Sequence, residues 1–500
     1  QLCDVLVVGW GAAGACAALE ACARGADVLI ADRFTGGGAS AKSGGVVYAG
    51  GGTRHQQAAG FNDSPEAMFD YLKHETCNVV SDETLRRFCA DSVSNLQWLE
   101  GHGVPYGHQM PPGGKTSYPS DGYFLYYSGN ELVPSHSGPL PPAPRGHRTV
   151  GKGQGGAVLF AHLKAACLKA GARPLLQAAA RRLVVDAQGR VLGVEFWCLA
   201  EGSREAQLHA RLAARAERLQ NFAPGYCNTL RKKICQLERD FARPRRVRAH
   251  NGVILSTGGF IFNRQMLEQH APKFRRNFKV GATGCDGSGL RLGASVGGQG
   301  IGLERVSAWR FLNPPYSWHK GIVVNRQGQR FCNEEVYGAT LGQPLMEEQG
   351  GKAWLVLDAP LRKKAIREAL FECMWTDVGI LRTGAGLQRA LVTLAELDTR
   401  LAQTGVDGSD RAFNLSWHDW INLKNLIAVS RVIATSALAR EDSRGAHFRE
   451  DHPHTGDLPG STYIVIKQNG QALDMQREPV VFSRVAPGHT VLTETTAAVH

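Results

Sequence analysis

Five hundred residues are more than one hydrophobic core usually supports, so the chain is expected to fold as two or three units. With 20% charged and 43% hydrophobic residues it has the balance of a folded enzyme, which excludes disordered and fibrous classes. The 59 glycines are about 12% of the chain against an average near 7%; they cluster in short runs without a period, which excludes collagen and points to backbone-tight loops around a large ligand.

Residues 4–8, Asp-Val-Leu-Val-Val, are apolar and β-branched, as a buried parallel strand requires. Gly9-Trp10-Gly11-Ala12-Ala13-Gly14 follows at once. Residues 15–24 are alanine-rich and helical up to Gly25, and 27–31 form a second strand ending at Asp32. A lone G-x-G-x-x-G is weak evidence, but here strand, turn, helix, second strand and terminal acid agree with a dinucleotide-binding unit. Gly9 permits the turn, Gly11 lets backbone approach a pyrophosphate, and Gly14 lets helix and strand pack closely. The helix N-terminus offers free amides to the phosphates, and Asp32 can accept from both ribose hydroxyls. A second glycine-rich loop runs through Gly36, Gly37, Gly38, Ser40, Ser43, Gly44 and Gly45 to Gly50-Gly51-Gly52. Nicotinamide enzymes do not need it. A flavin does, because its ring and ribityl chain thread through the protein beside the pyrophosphate.

Helical patterns are expected over 65–74 and 82–100, followed by a loop rich in Gly, Pro and Tyr. Tyr118, Tyr123, Tyr126 and Tyr127 there either line an apolar pocket or pack as a surface loop. The run 151–156, Gly-Lys-Gly-Gln-Gly-Gly, precedes a helix over 157–170 but lacks the G-K-[ST] end of a P-loop. Residues 183–194 read as a hairpin. Residues 203–250 hold twelve Lys/Arg and four Asp/Glu, a net +8 out of +12 for the chain. Charge confined to one segment indicates a surface patch rather than a nucleic-acid binder. Leu208, Leu212, Leu219, Phe222, Leu230, Ile234 and Leu237 recur at helical spacings, so the segment is either a solvated helical hairpin or a peripheral contact with anionic lipid. No run reaches the roughly 18 apolar residues of a membrane helix. The twelve cysteines form no C-x-x-C pair, so an internal iron–sulfur or zinc site is not expected, no metal is assigned, and a cytoplasmic location follows, with membrane-peripheral as the variant.

Residues 1–60, with the wording Ser43-Gly-Gly-Val-Val-Tyr-Ala-Gly-Gly-Gly-Thr53, resemble the FAD domain of the fumarate reductase/succinate dehydrogenase flavoprotein superfamily, its 3-ketosteroid dehydrogenase branch in particular. Members holding FAD covalently carry a His in this loop; residues 40–45 contain none, so the resemblance implies non-covalent FAD. A later buried strand from Gly252 ends in Thr257-Gly258-Gly259, which in the family touches the cofactor. Residues 281–289 resemble its T-G-D-G-type loop around Asp286, with Cys285 and Ser288 as departures. Residues 321–335 resemble its V-N-x-x-G-x-R-F-x-N-E hairpin, and Tyr337 follows where ketosteroid enzymes place a proton-handling tyrosine. From 371 onward the chain resembles instead the C-terminal helical domain of succinate dehydrogenase and fumarate reductase flavoproteins, most specifically around Ser443–Asp451. A helix there is supported independently by the spacing of Leu423, Leu426, Ile427 and Ile433. A late segment near G-L-Y-A-A-G-E, which in the family closes over the flavin, is not found between Ala359 and Phe371.

The expected architecture is α/β: a Rossmann-like FAD-binding domain (1–195 and 250–295) with a basic helical insertion (196–249), an α+β capping domain (296–370) and a C-terminal helical domain with a short β end (371–500). Expected cofactor contacts are Gly9, Gly11, Ala12, Ala13, Gly14, Asp32, Arg33, Ser40, Ser43, Gly44, Gly45, Thr257, Gly258, Gly259 and Asp286. Candidate catalytic residues are Tyr337, Arg330 and Glu334, the last two with a structural ion pair as the alternative. The resemblance implies an FAD-dependent oxidoreductase interconverting C=C and CH–CH beside a carbonyl or carboxylate, on a 3-ketosteroid-like substrate. Its alternatives are a dicarboxylate flavoprotein subunit docking to an iron–sulfur electron-transfer partner, and a non-catalytic flavoprotein-like subunit.

Overall fold

The computed structural model describes every residue except 138–140, 276, 278, 311, 313–318, 407–413, 471 and 490–500. The chain divides into two compact units, Gln1–Phe311 with Asn325–Ala353, and Leu312–Val324 with Trp354–His500.

The first unit opens with β1 (Leu2–Val8), α1 (Ala12–Ala23) and β2 (Val28–Ala31). After them come β3 (Val46–Tyr48), α2 (Arg54–Ala58), α3 (Pro65–Glu75), α4 (Asp82–Ala90) and α5 (Ser92–Gly101). β4 (Leu125–Tyr126), β5 (Gly146–Arg148), α6 (Gly156–Lys169), β6 (Arg173–Leu175), β7 (Ala178–Val185) and β8 (Val191–Cys198) lead to the helical pair α7 (Arg204–Leu219) and α8 (Pro224–Phe241). β9 (Arg243–Leu255), α9 (Arg264–His270) and α10 (Ser288–Ala294) complete the sheet region.

One six-stranded sheet runs β6-β2-β1-β9-β8-β7. β6, β2, β1 and β9 are parallel; β8 and β7 add as an antiparallel hairpin. The central strands read as continuous apolar runs because both faces are covered: Leu6, Val7, Leu29 and Ile30 are fully buried. α1 packs with α6 on one face through Ala15, Ala18, Leu159, Phe160 and Leu163. A small antiparallel sheet, β3-β5-β4, carries the chain from the second glycine loop to the tyrosine-rich loop.

Three local expectations change. The helix over 82–100 is broken at Asp91, and Ser92 at the break is buried with its Oγ accepting Gly50 N at 2.9 Å. The basic segment is helical only to Phe241; Arg243, Arg245, Arg246 and Arg248 belong to β9, where alternation turns Val247 and Ala249 inward and Arg246 and Arg248 outward, and Arg243 and Arg245 are exposed at the start of the strand. In the 321–335 stretch, the strand β10 (Ile322–Val324) ends in a turn at Asn325–Gly328 and pairs with β11 (Trp354–Val356), not with the residues that follow the turn. Gly338–Glu347, α11, lies between the two in sequence.

In the second unit, α12 (Ala359–Asp377), α13 (Gly384–Ala402) and α14 (Leu415–Ala439) pack around Ile366, Leu370, Leu387, Leu394, Leu397, Leu423 and Ile427. Of the spacing read in the sequence, Leu423 and Ile427 point into this core, whereas Leu426 and Ile433 lie on an exposed flank of α14. The run around Ser443–Asp451 has a clear structural task. Arg449 is buried and donates through Nη1 to the Ala437, Leu438 and Arg440 carbonyls, the unsatisfied acceptors at the C-terminal end of α14. Its fork also binds Asp451 at 2.7 and 2.9 Å, and Asp451 accepts Gly384 N at the start of α13. β12 (Leu381–Arg382) pairs with β13 (Phe448–Arg449), and β14 (Thr462–Asn469) with β15 (Ala472–Pro479). Among the described residues no helix is long and apolar enough to cross a membrane.

Candidate cofactor and active site

The turn between β1 and α1 admits only glycine at two positions. Gly9 has φ +103°, and a Cβ there would stand 2.5 Å from the Ser256 carbonyl oxygen after β9; a Cβ on Gly14 would stand 2.0 Å from the Gly9 carbonyl oxygen. Gly11 caps α1 without a side-chain acceptor, so the first-turn amides of Ala12 and Ala13 must be satisfied from outside the helix. Ala12 N donates to Ser40 Oγ at 3.0 Å. Ser40 is thereby the contact between the helix N-terminus and the second glycine loop, the place where an extended anionic cofactor fits.

Asp32 ends β2. Its Oδ2 accepts Trp10 N at 2.9 Å and its Oδ1 accepts Phe34 N at 2.7 Å. Burial raises its pKa against the opposing effect of the backbone amides of Trp10, Phe34 and Gly36. A carboxylate accepts about four hydrogen bonds, so lone pairs remain for ribose hydroxyls.

The second glycine loop is held from behind by the run 151–156, whose part the sequence did not reveal. Gly156 N donates to Ser43 O, Gly155 N to Gly44 O, and a Cβ on Gly45 would sit 2.3 Å from the Gly155 carbonyl carbon. Ser43 Oγ donates to Ser40 O and accepts Gly45 N. Tyr118 donates to Gly44 O at 2.7 Å, and Arg148, wholly buried, binds Tyr118 Oη, Asp121 and the carbonyls of Ser120, Tyr123, Gly151 and Gly153. The tyrosines thus divide: Tyr118 braces the flavin loop, while Tyr126 and Tyr127 are buried in packing.

The Thr257-Gly258-Gly259 turn meets the 281–289 loop, since Gly287 N donates to Gly259 O and a Cβ on Gly289 would fall 1.9 Å from Thr257 Oγ1. Asp286 accepts Ser288 N through Oδ1 at 2.9 Å and Arg33 Nη1 through Oδ2 at 2.9 Å. Arg33 in turn lies bidentate on Glu238, at 2.7 and 3.0 Å. The expected cofactor residues of the β1–α1 turn, the end of β2, the glycine loop and the two late turns therefore form one connected cradle, and its chemistry fits a dinucleotide with an added flavin arm. Glu238, counted in the sequence only as one acid in a basic run, is the residue that reading missed.

Tyr337 is the N-cap residue of α11. Its amide donates to Asn130 Oδ1, and its ring meets Trp309 at 5.3 Å. Asn130, fully buried, also donates to Glu75 at 2.6 Å and Thr340 at 2.9 Å. The neighbouring Glu131 accepts Tyr48 Oη at 3.1 Å in β3, the strand that continues from the flavin loop. Burial, then Glu131 and Glu75, push the Tyr337 phenol well above its ordinary pKa. Arg330 and Glu334 are paired with each other at 2.6 Å across one turn, Glu334 buried and Arg330 exposed. That is the geometry of the structural alternative.

Residues 4–376 match the family profile described as FAD binding domain, and 367–492 match that of the fumarate reductase flavoprotein C-terminus. The chain belongs to the FAD-binding flavoprotein family. It is 49% identical over 388 residues to the 3-oxo-5-alpha-steroid 4-dehydrogenase of Comamonas testosteroni, covering 74% of this chain and 70% of that one. Among solved structures it resembles the 3-ketosteroid-delta4-(5alpha)-dehydrogenase from Rhodococcus jostii RHA1 in complex with 4-androstene-3,17-dione, at 29% identity and TM-score 0.62 over 73% of this chain and 68% of that one. A flavocytochrome c3 fumarate reductase in its open conformation shares the fold at 21% identity and TM-score 0.50, covering 74% of this chain and 55% of that one. The α/β fold, the flavoprotein family and FAD as cofactor, all expected from the sequence, agree with these matches.

Proposed function

We propose that this chain is an FAD-dependent oxidoreductase that interconverts CH–CH and C=C beside the ketone of a 3-oxosteroid. The observation that carries the reading is the 49% identity to a 3-oxo-5-alpha-steroid 4-dehydrogenase, joined to a cradle whose glycines and Asp32 fit the cofactor. When bound, FAD supplies hydride transfer at the carbon β to the carbonyl. Gly9, Gly11, Ala12, Ala13 and Gly14 hold the pyrophosphate, Asp32 the ribose, and Ser40, Ser43, Gly44 and Gly45 the flavin arm. The turn Thr257–Gly259 and the loop at Asp286 close the cradle. FAD is held non-covalently, since residues 40–45 offer no histidine.

Tyr337 handles the proton at the carbon α to the carbonyl. Its raised pKa keeps the phenol neutral near pH 7, so it donates readily in alkene reduction and must first lose a proton to serve dehydrogenation. Arg330 and Glu334 shape the cap through their ion pair and take no proton. A dicarboxylate-reducing subunit with an iron–sulfur partner is the second reading, favoured by the fumarate reductase C-terminal match at 367–492. The basic surface of α7, α8 and β9 suits a peripheral contact with an anionic membrane, which would deliver an apolar substrate.

The test is direct. Purified protein should carry about one FAD per chain, acid precipitation should release that FAD into solution, and turnover should appear with a 3-oxo-5α-steroid and an artificial electron acceptor. Turnover with fumarate alone would replace this reading by the second, and a colourless protein would replace it by a structural role.

A further inference from the structure

α7 and α8 look like a detachable surface element in sequence, yet two of their acids are turned inward onto the cofactor loops. Glu238 on α8 is 3% exposed and holds Arg33, the residue after Asp32, at 2.7 and 3.0 Å; it also takes His209 Nε2 of α7 at 3.1 Å. The His209 ring stacks on Phe34 at 5.3 Å with 22° between planes. Glu217 on α7 pairs with Lys42 of the flavin loop at 2.8 Å and accepts Thr283 N of the 281–289 loop at 3.2 Å. Arg33 then reaches Asp286 of that same loop. Three cofactor loops far apart in sequence are therefore tied by one helical pair. A buried carboxylate is costly unless paired and hydrogen-bonded, and Glu238 is compensated by Arg33 at 2.7 and 3.0 Å together with His209 at 3.1 Å and Arg181 at 3.3 Å, of which Arg33 belongs to the cofactor loops. Of the buried apolar side chains of the pair, Ala216, Cys227 and Leu230 serve the contact between its own helices, while Ala206 packs on Leu199 and Ala242.

We propose that α7–α8 is a cofactor clamp: Glu238 and Glu217 are positioning residues that hold Arg33, Lys42 and the 281–289 loop in the arrangement that retains FAD. This rests on the FAD reading above. The clamp supplies by ion pairing what a covalent flavin link would supply elsewhere, and its signature is the rate at which FAD leaves.

The experiment compares wild type with Glu217→Gln and Glu238→Gln. FAD release is followed by flavin fluorescence after dilution, melting of the apoproteins is measured in parallel, and hydrogen exchange of α7 and α8 is recorded with and without FAD. Loss of one charge-assisted contact should speed release by about tenfold in each variant. FAD should slow exchange in both helices of the wild type. Glu217→Gln removes one partly exposed ion pair and should change the apoprotein melting temperature little, which separates retention from folding should Glu238→Gln be unstable. Wild-type release rates in Glu217→Gln, or exchange in α7 and α8 indifferent to FAD, would overturn the clamp while leaving the cofactor reading intact. A wild-type chain that takes up no FAD would overturn both.

Discussion

Asp32→Ala separates the two duties that the structure gives this carboxylate. In the folded chain it accepts two backbone amides, Trp10 N at 2.9 Å and Phe34 N at 2.7 Å. A hydrogen bond to a charged acceptor contributes about 1.5–3 kcal/mol, and removing the acceptor orphans both amides. Against that, deletion relieves the burial cost seen in the raised pKa. A net loss of about 2 kcal/mol in apoprotein stability is expected, measured by chemical denaturation. The remaining lone pairs are those proposed to accept from the ribose. Losing those bonds should weaken FAD by about 2–4 kcal/mol, roughly 30- to 1,000-fold in Kd, measured by fluorescence titration. Asp32→Asn should fall between, because its oxygen can keep one amide while its NH2 faces the other. If Asp32→Ala lost stability but bound FAD as tightly as wild type, the carboxylate would belong to the turn alone and its assignment to the ribose would be wrong.

Tyr337→Phe keeps the ring against Trp309 and should retain FAD, but turnover should fall by about 10²–10⁴ with substrate affinity nearly unchanged. With the neutral phenol favoured, wild-type dehydrogenation should accelerate about tenfold per pH unit above neutrality and reduction should not; equal profiles in wild type and Tyr337→Phe would make it a packing residue. Acid should destabilise the fold in two windows. Burial holds His147 at about 4 rather than 6.5, so the unfolded chain binds more protons between those values and about 3 kcal/mol is lost as pH falls through them. Burial works against ionised Glu238, but His209 and Arg33 outweigh it and hold its pKa at about 2, so its contribution is complete above 4.5 and lost as pH falls towards 2; a flat denaturation midpoint from pH 7 to 3 would contradict both. Vesicle binding should require anionic lipid and fade with salt, at roughly 1 kcal/mol per engaged cation, because Leu230 and Cys227 of α8 are used against α7 and the large apolar side chains the pair exposes, Leu208, Phe222, Tyr226 and Phe241, are few beside the twelve cations of 203–250; salt-independent binding to neutral vesicles would refute this.

What could be read in advance followed from the range of the interaction. The β1–α1–β2 unit was legible because most of its requirements are met within 30 residues: Gly14 answers to the Gly9 carbonyl and Asp32 to the Trp10 and Phe34 amides at the strand end, although the backbone that crowds Gly9 is that of Ser256. The partners of the second glycine loop were not, since Gly155, Tyr118 and Arg148 lie 74 or more residues beyond Gly44 and nothing in their spacing announces a contact with Gly44 or Gly45. Charge was misleading for the same reason. A net +8 describes the basic segment correctly but hides that two of its four acids, Glu217 and Glu238, tie its helices to the cofactor loops. α14 shows the converse limit: with aliphatic residues on both faces, helical spacing establishes a helix but not which side is buried, and Leu423 and Ile427 went inward while Leu426 and Ile433 did not. Local motifs therefore indicate the kind of cofactor, whereas the residues proposed to retain it are visible only where the chain returns, some 200 residues later, to pair with Arg33.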